Sequence, residues 1–77
     1  MKIKCFGISK EIIGQDQLEL QEELNTIGDV REYLNLHYPE LKKIHTYMLA
    51  KNLEYGEDSE TLSSADEIAI IPPVSGG

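Results

Sequence analysis

The residues best suited to chemistry by type and spacing are Pro72-Pro73-Val74-Ser75-Gly76-Gly77, which come directly after the apolar run Ile68-Ala69-Ile70-Ile71. Proline lacks the backbone N–H that a sheet requires, so two in succession stop a strand at Ile71. They also favour an extended, polyproline-like exit that holds the last residues away from the globule. Fully stretched, the segment from Pro72 to Gly77 reaches roughly 20 Å. Gly76 and Gly77 carry no Cβ, so they pass a narrow slot and offer a terminal carboxylate to a nucleophile with little steric hindrance. Glycine-rich ends are also ordinary frayed termini, and residue types alone leave that alternative open.

Other reactive side chains are sparse. Cys5 stands in an alternating apolar stretch, where a cysteine serves as a small buried hydrophobe rather than a reactive thiol. His37 and His45 have no third ligand at useful spacing, so no metal site is expected. The acidic pairs Glu22-Glu23 and Glu57-Asp58 read as solvated faces. Nothing in the chain assembles a nucleophile, a base and an oxyanion site, so chemistry at the tail needs catalytic groups from a partner.

At 77 residues the chain forms one small domain, burying roughly 60% of the surface its unfolded form exposes. Residues 1–77 are expected to be a single unit with 72–77 as its flexible tail. One cysteine excludes a disulfide within the chain and points to the cytoplasm. Met1-Lys2-Ile3-Lys4 lacks a signal peptide's apolar core, and no run approaches a membrane span. Fourteen acidic residues against seven basic give a net charge of −7. That charge repels nucleic acid and anionic lipid, so neither is an expected partner, and it favours basic protein surfaces. Solubility alone accounts for most of it.

The elements that position the tail can be read from periodicity. Residues 2–8 alternate, with Ile3, Cys5 and Gly7 on one face and Lys2, Lys4, Phe6 and Ile8 on the other, which predicts a first strand. Ser9–Gly14 is a connection with one short turn around Ile12 and Ile13. Gln17–Leu24 places Leu18, Leu20 and Leu24 at even spacing, a second strand paired with the first. Thr26 is a helix N-cap with Asp29 three residues on, and Ile27, Val30, Leu34 and Tyr38 recur at helical spacing until Pro39 ends the run. Residues 39–44 add a short turn. Tyr47–Ala50 is a third strand, Lys51-Asn52 a turn, and Leu53 and Tyr55 a short fourth strand. Gly56–Asp66 is a polar loop anchored by Leu62. Glu67–Ile71 is a β-branched last strand suited to a sheet centre. Apolar first and last strands belong side by side, hence parallel, with the helix packing Ile27, Val30 and Leu34 against Ile3, Cys5, Ile68 and Ile70.

Through Asp66-Glu67-Ile68-Ala69-Ile70-Ile71-Pro72-Pro73-Val74-Ser75-Gly76-Gly77 the chain resembles the ubiquitin-like β-grasp sulfur carriers, and among them the small subunits of molybdopterin synthase. These share an acidic turn, an apolar strand, Pro-Pro-Val, a small hydroxyl residue and terminal Gly-Gly. The likeness extends weakly through Phe6, Glu11, Gly14, Thr26, Ala50 and Asn52. Ala65 stands where the family usually has glycine, a departure that bears on loop geometry alone. The resemblance implies an α+β, ubiquitin-like β-grasp fold, a mixed sheet with one main helix packed on one face. It also implies that Gly77 is the covalent carrier. An ATP-dependent E1-like activating enzyme adenylates the carboxylate, and a sulfur donor, which the sequence does not identify, replaces the adenylate. The resulting thiocarboxylate enters the large subunit of molybdopterin synthase and gives its sulfur to cyclic pyranopterin monophosphate. A dithiolene needs two such deliveries. On this resemblance the chain binds no cofactor itself, ATP being used by the activating enzyme, and the synthase's catalytic residues lie on the large subunit. Two related roles share the Gly-Gly end: the sulfur carrier of thiazole synthesis for thiamine, in which Pro-Pro is seldom found, and a ubiquitin-like protein modifier.

Alternation also makes a prediction about the face away from the helix. If Ile3 and Cys5 point inward, Phe6 points outward, and Ile71 lies opposite Ile68 and Ile70. Joined by Tyr55, these residues would form an apolar docking patch for both the activating enzyme and the large subunit, with Pro72, Pro73, Val74, Ser75 and Gly76 leading Gly77 into each partner.

Overall fold

The structure, a computed structural model, describes residues 1–21, 23–44 and 47–72. In chain order its elements are β1 (Lys2–Cys5), α1 (Ile8–Ile13), β2 (Gln17–Glu19), α2 (Ile27–His37), a 3-10 turn (Pro39–Lys43), β3 (Met48–Lys51), β4 (Glu54–Tyr55) and β5 (Glu67–Ile71). The five strands form one sheet in the order β2-β1-β5-β3-β4. β1 and β5 run parallel at its centre, placing Ile3 beside Ile68 and Cys5 beside Ile70. β3 pairs antiparallel with β5, setting Leu49 opposite Ile70. This is the α+β, ubiquitin-like β-grasp architecture, a mixed sheet with one main helix on one face.

Local chemistry explains α2. Thr26 Oγ1 accepts from the Asp29 N–H at 3.1 Å while Asp29 Oδ2 accepts from the Thr26 N–H at 3.1 Å. This reciprocal box satisfies donors that a helix start leaves unpaired. Pro39 disfavours helical geometry in the residue before it, and α2 ends at its C-cap, Tyr38. Between those limits Ile27, Val30 and Leu34 are fully buried, in one cluster with Ile3, Cys5, Leu49, Ile68 and Ile70. Gly56 lets the chain pass close to this helix, since a Cβ there would force Ile27 Cδ1 to shift.

Four expectations are corrected. β1 stops at Cys5 instead of running to Ile8, and residues 8–13 form a helix rather than a loop with one turn. Gly7 takes φ +57°, which breaks the strand. Ser9, fully buried, then fastens the turn: its hydroxyl accepts from the Phe6 N–H at 3.2 Å and donates to the Phe6 carbonyl. Gly14 closes α1 in the left-handed region, its N–H bonded to Lys10 O. β2 is confined to Gln17–Glu19, because Lys2 already faces Glu19 and β1 has no strand left to pair with the chain beyond Leu20. β3 starts at Met48 rather than Tyr47 and includes Lys51, so the hairpin turn is Asn52-Leu53 rather than Lys51-Asn52. The 56–66 segment is the polar loop expected, with Leu62 packed against the core and Thr61 bridging to Thr26. Ala65 is not among the residues with positive φ, so its turn closes through the Asp66 N–H to Ser63 O bond without a left-handed position there.

Candidate functional site

With α2 on one face, alternation sends Ala69 and Ile71 of β5 to the other. Register brings Ala50 beside Ala69, Met48 beside Ile71, and Tyr55 beside Ala50. Two alanines on adjoining strands leave the sheet low at that point, while Phe6, Leu53, Tyr55 and Ile71 stand around it. The result is a depression of about 300 Å³ lined by these residues with Lys4 and Glu67. Phe6 is 50% exposed and Tyr55 63%, an apolar rim open to water. Lys4 Nζ lies 3.3 Å from Glu67 Oε1 at its edge, an ion pair open to solvent and therefore worth little to stability.

The structure thus gathers Phe6, Tyr55 and Ile71 around one depression. Phe6 reaches it from the turn after β1 rather than from within the strand. Pro72 sits at the same corner: a Cβ on Gly7 would lie 3.1 Å from Pro72 Cγ, so the base of the tail is packed against the β1–α1 turn. Pro73, Val74, Ser75, Gly76 and Gly77 lie outside the described residues, as does His45. Sequence reasoning missed Leu53, Ala50 and Ala69. Ala69 could have been found from its even spacing with Ile71. Leu53 could not, because its place depends on where the hairpin turns.

The turn is tied down by Asn52. Its Oδ1 accepts from the Glu67 N–H at 2.9 Å and its Nδ2 donates to Asp66 Oδ1 at 2.9 Å. Asp66 Oδ2 also accepts from the Ser63 N–H at 2.8 Å. The Ser63 bond first, and the Asn52 amide second, hold the Asp66 carboxyl below its ordinary range. A depressed carboxylate stabilises the fold above its unfolded-state pKa, near 4, and loses that contribution as pH falls through its folded value. Acid titration of urea stability between pH 5 and pH 2 is therefore expected to be steeper for the wild type than for Asp66→Asn. Equal slopes would show that this network carries no charge-dependent stability.

Burial, and secondarily the charge of Asp16, pushes the Cys5 thiol up, keeping it protonated at neutral pH. His37 stacks on Tyr33 with ring centroids 4.2 Å apart. A larger concavity of about 530 Å³ lies beside α2. Three of its polar side chains are engaged, Arg31 Nε donating to Asp58 Oδ1 at 3.0 Å and Tyr47 Oη to Asn35 Oδ1 at 2.7 Å. Among the described residues no three His, Cys, Asp or Glu are grouped to hold a metal ion. No helix among them is long and apolar enough to cross a membrane.

The model of the ThiS family matches residues 3–77. The molybdopterin synthase sulfur carrier subunit of Dictyostelium discoideum is 38% identical over 82 residues, covering 99% of this chain and 94% of that one. The subunit of the same name from Arabidopsis thaliana is 35% identical over 79 residues, covering 100% and 82%. Among solved structures, small archaeal modifier protein 1 from Methanosarcina acetivorans is similar at a TM-score of 0.80 and 29% identity, covering 99% of this chain and 94% of that one. A chain from the complex of subunits 1 and 2 of the molybdopterin-converting factor of Helicobacter pylori shares the fold, with a TM-score of 0.70, 21% identity and coverage of 99% and 96%.

Proposed function

The chain belongs to the ThiS family, and from that premise we propose that it is the sulfur carrier and small subunit of a molybdopterin synthase. The observation that carries this reading is similarity over 99–100% of this chain to proteins bearing that function in their names, at 35% and 38% identity. A free carboxylate is a poor electrophile. The cytoplasmic activating enzyme therefore joins Gly77 to AMP, releasing pyrophosphate from ATP, and sulfur then displaces AMP to leave a terminal thiocarboxylate. That sulfur is nucleophilic and passes to cyclic pyranopterin monophosphate in the active site of the large subunit, which supplies the catalytic groups. The depression around Phe6, Tyr55 and Ile71 is the docking face for both partners in turn. Packing of Pro72 against Gly7 starts the tail from a fixed point beside it. A likeness in fold to a chain solved in a complex of two converting-factor subunits supports the large subunit as partner.

The test is intact mass spectrometry of the full chain incubated with the cognate activating enzyme, ATP and a sulfide source. The expected product carries one sulfur in place of one oxygen. Unmodified carboxylate alone, with the enzyme shown competent on another carrier, refutes the reading. Likeness to a small archaeal modifier protein at 29% identity gives the modifier role a claim of its own. That role predicts isopeptide links from Gly77 to lysines of other proteins, visible as a ladder on a denaturing gel. The thiamine role predicts sulfur transfer to a thiazole synthase instead, and Pro72-Pro73 argues against it.

A further inference from the structure

Asn52 and Leu53 form the two-residue loop between β3 and β4, with φ +50° and +72°. Both central positions of such a turn need positive φ, and asparagine followed by glycine fills them with least strain. Asn52 obeys that rule. Leu53 breaks it, since a branched side chain disfavours this backbone region. The leucine gains nothing in return within the free domain, where it is 92% exposed. Glycine would relieve both the backbone strain and the exposure of an apolar side chain. Strain held at an exposed position points to a role outside the free fold.

From this conflict, and resting on the docking role proposed above, we infer that Leu53 is a specificity-determining residue that grips the large subunit of the synthase. Leu53 stands at one side of the depression whose floor is Ala50 and Ala69. The fitting occupant is an apolar side chain projecting from the large subunit, which Leu53 and Tyr55 enclose while the alanine floor leaves it room. Charge narrows the surroundings of that side chain. Glu54 comes directly after Leu53 and is exposed, Glu67 beside the turn is paired with Lys4, and the chain carries a net charge of −7. The partner surface around the apolar side chain is accordingly basic. Leu53 is held in readiness by its neighbour, because the Asn52 side chain is bonded to both Asp66 and Glu67.

The experiment is titration calorimetry of the full chain against the purified large subunit, with thermal melts of the free proteins, for wild type, Phe6→Ala, Leu53→Gly and Leu53→Ala. Leu53→Gly is expected to melt about 4 °C or more above wild type while binding about tenfold more weakly. Leu53→Ala keeps a Cβ in the left-handed region but loses the gripping surface. It is expected to melt near wild type and to bind as weakly as the glycine variant. Phe6→Ala reports on the docking face independently of the turn. If Phe6→Ala weakens binding and both Leu53 variants bind like wild type, the inference falls and the docking face stands. If only the glycine variant binds weakly, the backbone rather than the side chain matters, and the inference falls as well. Wild-type affinity in all three variants would overturn the docking face and the role of Leu53 together.

Discussion

Gly77→Ala, or one residue added after Gly77, is expected to reduce thiocarboxylate formation about a hundredfold or more without moving the melting temperature. The size of the loss comes from geometry at the reacting carbon, where displacement of about 1 Å already costs about a hundredfold in rate. A methyl group on the residue that carries the carbonyl cannot avoid such displacement in a slot shaped for glycine. An added residue moves the carboxylate by a whole peptide unit. Stability is spared because the buried apolar cluster among the described residues runs from Ile3 to Ile70 and is complete before the prolines. Gly76→Ala is expected to be milder, since it narrows the tail without altering the reacting residue. Pyrophosphate exchange catalysed by the activating enzyme measures the first step, and intact mass measures the second. Adenylation of Gly77→Ala at the wild-type rate would show that the slot does not read the last residue.

Ile70→Ala is expected to remove a large share of the stability of the domain. Ile70 is fully buried at the middle of the sheet, between Cys5 of β1 and Leu49 of β3. Truncating a buried isoleucine to alanine costs about 2–5 kcal/mol, whereas a domain of this size holds about 4–12 kcal/mol in total. The neighbouring Ile71→Ala provides the control. Ile71 lies on the opposite face and is only partly buried, so its loss should cost about 1 kcal/mol or less. Urea unfolding of the two variants reads out the phase of β5 directly. Similar midpoints for both would contradict the assignment of Ile70 to the core face and Ile71 to the face away from α2.

That phase was legible in the sequence, and the reason is physical. β5 alternates without interruption up to Pro72, and both of its faces are constrained, one by α2 and the other by the apolar rim. Thr26 and Asp29 likewise announced α2, because capping is a local interaction between residues three apart. The β1–α1 junction was not legible: Phe6 and Ile8 continue the alternation of β1 formally, and only the Gly7 backbone and the buried Ser9 hydroxyl end it. The bracketing glycines, Gly7 and Gly14, were the available sign of a short helix. The end of β2 depended on the length of its partner, which Gln17–Leu24 alone does not encode. Phe6, Tyr55 and Ile71 were placed together by alternation, but the depression between them depends on Ala50 meeting Ala69, a matter of register across strands far apart in sequence. Leu53 was hidden by its own chemistry, since leucine is not a turn residue. Residues 73–77, on which the sulfur chemistry rests, lie outside the described part, so for them the sequence is the only guide.

The parallel pairing of β1 with β5 also governs how the protein comes into being. Ile3 finds Ile68 and Cys5 finds Ile70 only after nearly the entire chain has been synthesised. Before then a nascent chain holds at most two separate hairpins, β1–β2 and β3–β4, each too small to persist in water. Translation that stops before Glu67 therefore yields a polypeptide with nothing at the middle of its sheet, a substrate for chaperones and proteases alike. The sheet therefore closes only when its last strand is present, and a chain cut within Glu67–Ile71 is expected to have no stable fold.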